Sequence, residues 1–242
     1  MNFALVGYGR MGREIERVAR ERGHFAQATF DVDRPVERPD ELAGADVLVD
    51  FSLAGAVLPI LKVAAEAGVP VVEGTTGWYD QLDEARALPG LTMVYSPNFS
   101  VGVYQFMRLV ETAGRLLGHL DYDTYVHEWH HSGKADSPSG TARKLATLLL
   151  DVLPGKDEML ADSCNRRIDP RELHVTSTRV GRIPGTHQVG FDSDSDSITL
   201  THQAHGREGF ARGAVLAAEW IKGRSGVFTM DDFVSEWSRR EE

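Results

Sequence analysis

The chain has 242 residues, 42% hydrophobic and 26% charged, with 26 Lys and Arg against 36 Asp and Glu for a formal net charge of -10. This length accommodates one large domain or two smaller ones with real cores, and the acidic balance argues against a general nucleic-acid surface. Cys164 is the one cysteine, so no intrachain disulfide can form and a reducing cytoplasm is the expected setting; no leader opens the chain and no apolar run reaches the ~18 residues that cross a bilayer, so no membrane partner is expected.

The first predicted strand, Phe3–Val6, runs into Gly7-Tyr-Gly-Arg-Met-Gly12, after which Ile15, Val18 and Ala19 fall on one helical face. A G-x-G-x-x-G between a strand and a helix allows a tight turn, close approach of the backbone to a pyrophosphate and a helix N-terminus facing the negative charge, so Gly7, Tyr8, Gly9, Arg10, Met11 and Gly12 are cofactor candidates. The second strand, Gln27–Asp31, ends in an acid about twenty residues past the last motif glycine, where a ribose-binding carboxylate belongs. Asp31 could also simply open the Asp-Val-Asp-Arg-Pro loop.

A buried-type strand over Asp46–Phe51, a helix over 53–67 and a strand over Val69–Val72 continue the alternation of a doubly wound parallel sheet, whose ligands bind at the carboxyl ends of its strands. Polar turns are expected at those ends: Asp50–Ser52, Glu73-Gly-Thr-Thr-Gly77 and, after Leu91–Tyr95, Ser96-Pro-Asn-Phe-Ser100. Each could be routine turn chemistry, but a shared rim makes Gly74, Thr75, Thr76, Ser96, Pro97, Asn98 and Phe99 cofactor candidates.

A helix over 101–117 carries a core stripe, and Tyr122, Thr124 and Val126 alternate as a half-buried strand. Where that strand is expected to end, the polar stretch Glu128-Trp-His-His-Ser-Gly-Lys-Ala-Asp-Ser-Pro-Ser-Gly-Thr141 begins. Its two imidazoles (His130, His131), amine (Lys134) and carboxylate (Asp136) converge before a helix, Thr141–Leu150, for which Ser139 is the expected N-cap. Unsatisfied N–H groups near Gly140 and Thr141 beside cationic side chains suit a carboxylate or phosphate. A solvated loop is the plain alternative, outweighed by four ionisable groups on an anion-ready turn. A metal is not expected, because adjacent His residues after a strand diverge and no second His/Cys cluster stands at ligand spacing.

The polar region from Pro154 to Arg171, with Arg166-Arg167, reads as a solvated connection. Strands return at Leu173–Val180, His187–Phe191 and Ser197–His202, the last two joined by a hairpin turn over Ser193–Asp196, and strands without helices between them imply an antiparallel or mixed sheet. Phe210, Ala214, Leu216, Ala217, Trp220 and Ile221 mark an amphipathic helix, and Thr229-Met-Asp-Asp232 resembles a cap for a short final one. The expected fold class is therefore α/β, a Rossmann-type doubly wound parallel sheet with a second α+β domain. Residues 1–100 and 207–242 would form the dinucleotide-binding domain and 101–206 the substrate-binding and oligomerisation domain.

With these residues assembled, the chain resembles the 4-hydroxy-tetrahydrodipicolinate reductase (dihydrodipicolinate reductase) family of the diaminopimelate route to lysine, nearly end to end. The resemblance rests on the glycine motif, Gly74-Thr-Thr-Gly77, Pro97-Asn-Phe-Ser100, Glu128-x-His-His-x-x-Lys134-x-Asp-x-Pro-Ser-Gly-Thr141 and Arg179-x-Gly-x-x-x-Gly-x-His187. The segment from Val32 to Ala45 is shorter than the family pattern. The resemblance implies reduction, by NADH or NADPH, of a cyclic dicarboxylated imine after loss of its 4-hydroxyl. It implies His130 as proton donor or acceptor, Lys134 as proton donor, His131, Ser139, Gly140 and Thr141 as substrate-binding residues, and a cytoplasmic homotetramer. A different nicotinamide dehydrogenase acting on an amino or imino acid would share the first domain but not the His-His-Lys segment. A nucleotide-sensing binding protein would be expected to lack His130 or Lys134.

Overall fold

A computed structural model describes residues 1–161 and 163–239. In chain order the elements begin β1 (Asn2–Val6), α1 (Arg10–Glu21), β2 (Phe25–Phe30), β3 (Val47–Asp50), α2 (Ala54–Ala67), β4 (Val71–Glu73), α3 (Leu82–Arg86), β5 (Met93–Tyr95) and α4 (Val101–Leu117). They continue with β6 (Asp123–His130), α5 (Gly140–Val152), β7 (Glu158–Leu160), β8 (Glu172–Arg179), β9 (Thr186–Asp192), β10 (Ser197–Gln203), α6 (Glu208–Ile221), β11 (Val227–Thr229) and α7 (Met230–Arg239). They form two compact units, one of residues 1–101 with those from 207 on and the other Gly102–Gly206.

In the first unit, all strands are parallel in the order β11-β5-β4-β3-β1-β2. A parallel sheet is covered on both faces, which is why Val47–Val49 and Val71–Val72 are apolar without alternation. On one face α6 packs on β3, β4, β5 and α1. On the other, Leu48, Val71 and Met93 meet α2 and the fully buried Trp78, whose indole N–H donates to the Thr75 carbonyl at 3.0 Å. Each fully buried aliphatic side chain in such a core contributes about 1.5–3 kcal/mol. Two elements escaped the sequence reading. The helix α3 has only five residues, and β11 is a three-residue strand whose assignment depends on its pairing with β5. Asp50 ends β3, inside the strand expected over Asp46–Phe51, whereas Glu73, expected in a polar turn, is the last residue of β4, and both are fully buried.

In the second unit the sheet order is β10-β9-β6-β8-β7. The pairs β6/β8 and β7/β8 are parallel, while β6/β9 and β9/β10 are antiparallel, so the sheet is mixed. One face is closed by α4 and α5 through Phe106, Val110, Leu145 and Leu149 against Val126, Val175 and Val189. The sequence ended the central strand near Val126, but β6 runs on to His130. Ladder bonds to both neighbours, reaching Arg179 on one side and Thr186 on the other, hold the polar residues in the strand. The connection over 154–171, read as solvated, contains β7, which adds an edge to β8.

Candidate functional site

The glycine motif behaves as its chemistry requires. Gly7 has φ +78, and a Cβ there would lie 2.4 Å from the Phe51 carbonyl oxygen, so this position admits only glycine. Gly9 precedes α1 without a side-chain cap, the first turn carries no acid, and nothing lies within 4 Å of where its Cβ would be. Free N–H groups facing open space fit a pyrophosphate. A cleft of about 330 Å³ opens here, and Gly7, Gly9, Arg10, Met11 and Asp31 line it. Phe51 and Ser52, from the turn expected after the third strand, also form its wall, together with Val32 and Ile60, which the sequence did not single out. Asp31 is exposed and closes a small bridge with Arg34, whose guanidinium stands 5.4 Å from the centre of the Phe30 ring.

Other candidates are placed elsewhere. The Tyr8 hydroxyl bonds Glu16, and Gly12 is buried within α1. Thr75 is held inside by the Glu73 carboxylate, while Thr76 and Pro97 are exposed and Gly74 is half-buried. The Ser96 hydroxyl and the Asn98 amide fold back on their own turn, and Phe99 is buried with its ring 5.9 Å from that of Phe51. None of these lines the cleft beside the glycine motif.

The second unit gathers the other motif around a carboxylate. Glu128 lies on the inward face of β6, wholly buried. Its Oε1 accepts from the Ser139 N–H, the Ser177 hydroxyl and Arg179 Nη2, each at 2.8 Å. Its Oε2 stands 2.6 Å from His130 Nδ1. Burial alone would raise this carboxyl, but donors from His130, Ser139 and Arg179 outweigh it and hold Glu128 far below the usual carboxylate range. The His130 ring therefore turns Nδ1 to Glu128 and directs Nε2 towards Gly185, where a Cβ would stand 2.9 Å from that nitrogen. His187 packs edge-on against His130 and is pushed down to about 4, first by burial and then by the charge of His130, so it is neutral at neutral pH.

His131 points away from this cluster and is exposed, the divergence expected of neighbours in an extended chain. The ammonium of Lys134 pairs with Asp136 at 2.7 Å, which holds that carboxyl low. Ser139 is the N-cap of α5: its hydroxyl accepts from Ala142 N–H at 3.2 Å and lies 3.2 Å from His187 Nε2. Its side chain is thus engaged, and the first N–H groups of the helix, on Gly140 and Thr141, have no intrahelical partner. The helix end can hold an anion, and His130 and Lys134 can move protons.

The sequence singled out no role for Glu128, Arg179 or His187. Their signal was the spacing of the Arg-x-Gly-x-x-x-Gly-x-His pattern, which becomes chemistry only when β8 and β9 flank β6. Glu128, His130 and His187 place ligand atoms within 4.8 Å of one another. Glu128 Oε2 and His130 Nδ1 stand 2.6 Å apart, and Arg179 already supplies a positive charge to this carboxylate.

Comparison with known proteins covers both units. A family model described as dihydrodipicolinate reductase, N-terminus, matches residues 1–99, and one described as dihydrodipicolinate reductase, C-terminus, matches residues 102–234. A 4-hydroxy-tetrahydrodipicolinate reductase of Christiangramia forsetii is 39% identical over 98% of this chain and 98% of its own length. One from Archaeoglobus fulgidus is 40% identical over 97% of this chain and 100% of its own. Among solved structures, dipicolinate-bound dihydrodipicolinate reductase from Paenisporosarcina sp. TG-14 shares the fold with a TM-score of 0.74 at 20% identity, over 95% of this chain and 97% of that one. A probable dehydrogenase from Thermotoga maritima shares it with a TM-score of 0.60 at 9% identity, over 97% and 93%.

Proposed function

The chain belongs to the dihydrodipicolinate reductase family and is an NAD(P)H-dependent oxidoreductase that reduces 4-hydroxy-tetrahydrodipicolinate to tetrahydrodipicolinate, and within that activity we propose a role for each group of the two sites. The observation that carries the proposal is the buried Glu128 carboxylate, which fixes His130 in the same unit as Lys134 and the open end of α5. Gly140 and Thr141 hold a substrate carboxylate with N–H groups and a hydroxyl. Ser139 presents that helix end by capping it, and exposed His131 adds a ring N–H donor. His130 exchanges a proton through Nε2, the ring nitrogen turned away from Glu128. Lys134, which has three N–H donors and engages Asp136 with one, gives a proton to the reduced ring. The overall change takes in one hydride and one proton and releases the hydroxyl as water.

In the first unit Gly7, Gly9, Arg10 and Met11 receive the pyrophosphate and Asp31 the adenosine ribose, with Gly74–Thr76 and Ser96–Phe99 contributing the more distant turns. The bound nicotinamide nucleotide supplies the hydride. The Asp31 charge disfavours a 2′-phosphate, while Arg34 can pair with one, so NADH is used at least as well as NADPH. Assembly as a homotetramer through the second unit's sheet and a cytoplasmic location complete the proposal. Half-exposed Tyr125, on the same strand face as His127 and Trp129, supports the former and a single cysteine the latter. No helix among the described residues is long and apolar enough to cross a membrane.

The test is a coupled assay with freshly generated substrate and each reduced nucleotide. Lys134→Ala should lower turnover on the order of 10²-fold or more while leaving nucleotide affinity unchanged, as expected for loss of a general acid. Asp31→Ala should move the ratio of kcat/KM values towards NADPH by more than about twofold. Near-normal turnover in Lys134→Ala would remove the ammonium from the mechanism, and an unmoved ratio would remove Asp31 from the ribose.

A further inference from the structure

Two buried acids outside the proton-transfer cluster stand side by side in the first unit. Asp50 and Glu73 end adjacent parallel strands, are direct register partners and are both 0% exposed. By the two-residue period of a strand, Asp50 shares the face of Leu48, and Glu73 that of Val71, the core face against α2. Each carboxyl uses one oxygen in the same way. Asp50 Oδ1 accepts the Ser52 N–H at 2.9 Å, and Glu73 Oε1 accepts the Thr75 N–H at 2.6 Å. The two turns are then joined above the acids, because the Ser52 N–H also meets Thr75 Oγ1 at 3.0 Å. The second oxygens, Asp50 Oδ2 and Glu73 Oε2, have no donor among the described residues.

Two adjacent carboxylates in a dry sheet, each with an acceptor lacking a donor, carry a heavy penalty. One proton removes both faults, since a single O–H···O bond satisfies both lone oxygens and leaves one charge in place of two. We propose that Asp50 and Glu73 share one proton at neutral pH and act as a positioning clamp that fixes the Ser52 and Thr75 turns at the rim of the nucleotide cleft, which Phe51 and Ser52 line. The inference rests on that cleft being the nucleotide site.

The surroundings supply no competing charge. On the flanking strands the register neighbours are Val6 and Tyr95, and the Tyr95 hydroxyl accepts from Arg86 at 3.0 Å. Tyr79 stacks on Trp78, and the charged groups of α2, α3 and the turn before α3, namely Lys62, Glu66, Asp80, Asp83, Glu84 and Arg86, are exposed. Burial raises both carboxyls, and the charge of Asp50 raises Glu73 further. The sign follows from linkage: the folded pair keeps a proton that the unfolded chain has already released, so its contribution is full in acid and is lost as pH rises through the folded pair's titration. Loss of the proton also adds a negative charge below a cleft that receives a pyrophosphate.

The experiment compares wild type, Glu73→Gln and Glu73→Ala. Glutamine keeps the acceptor for Thr75 and permanently supplies the donor for Asp50. An infrared spectrum near neutral pH should contain the carbonyl stretch of one buried protonated carboxyl in wild type and lose it in Glu73→Gln. NADH affinity in wild type should fall by roughly tenfold or more as pH is raised from neutral into the alkaline range, whereas Glu73→Gln should bind with near-wild-type affinity and a flat profile over the same span. Glu73→Ala should bind weakly at every pH, and if it does not fold, the glutamine variant carries the test. Identical infrared spectra for wild type and Glu73→Gln, or identical pH profiles of affinity, would overturn the proposal. Failure of wild type to bind NADH at any pH, with the infrared difference present, would instead locate the error in the assignment of the cleft.

Discussion

Glu128 accepts hydrogen bonds from Ser139, Ser177 and Arg179 and stands 2.6 Å from His130 Nδ1, so a single buried side chain ties together two strands, a helix terminus and the imidazole. Glu128→Gln keeps the shape but replaces the oxygen facing His130 with either an amide donor or a neutral acceptor. The imidazole loses the carboxylate that orients its ring, and Arg179 loses its buried counter-charge. Turnover is expected to fall on the order of 10²-fold with a much smaller change in substrate KM, and stability to fall by about 3–5 kcal/mol because one partner of a buried ion pair is left alone. Steady-state kinetics and denaturant unfolding of the same variant check both parts; normal turnover would show that the orientation of His130 does not matter. At this scale the sequence was half legible. His130 and Lys134 stand four residues apart and declared themselves, whereas Glu128, Arg179 and His187 meet only through the register that sets Glu128 opposite His187 on one side and His130 opposite Arg179 on the other. No local pattern encodes a pairing across some fifty residues of chain.

The start of α5 is the element on which substrate recognition is proposed to turn. Because the Ser139 hydroxyl serves Ala142, it contributes about 1 kcal/mol as a cap and orders the end without occupying the first two N–H groups. Thr141→Val keeps the volume and removes the hydroxyl; the substrate KM is expected to rise several-fold with nucleotide affinity unchanged, a cost of ~1 kcal/mol for a lost hydrogen bond. An unchanged KM would reduce the residue to helix-end packing. The helix α5 and its cap were readable because capping is a local code, and α4 was readable because its apolar stripe is regular. The end of β6 was not, since polarity at Glu128 and His130 imitates a loop and only two flanking strands keep them in a ladder. Glu73 was missed for the same reason: an acid at the end of an apolar run looks like a turn until its neighbour in the next strand, here Asp50, supplies the partner.

At the scale of the molecule, the alternation of strands and helices made the parallel sheet legible, and the uninterrupted strands after Leu173 made the second sheet legible as mixed or antiparallel. The proposed assembly also belongs to this scale. The outward side of the second sheet carries Tyr125 beside a groove of about 390 Å³ and stacks His127 on Trp129 with ring centres 3.9 Å apart. A sheet face of this kind is expected to be covered in a larger assembly. Light scattering is expected to give four times the monomer mass, and a monomer mass would refute the tetramer.

The place of β11 in the first sheet has a consequence for how the chain is made. The strand pairs with β5, and α6 lies across β3, β4 and β5, yet both are translated only after the whole of Gly102–Gly206. A ribosome therefore releases a complete second unit while the first still lacks an edge strand and one of its covering helices. During that interval Met93–Tyr95 presents an open ladder to any extended segment that comes near, and an exposed strand edge is where misassembly begins. The order of synthesis therefore seals the unit that carries the glycine motif only after the second unit is complete, although that motif emerges before it.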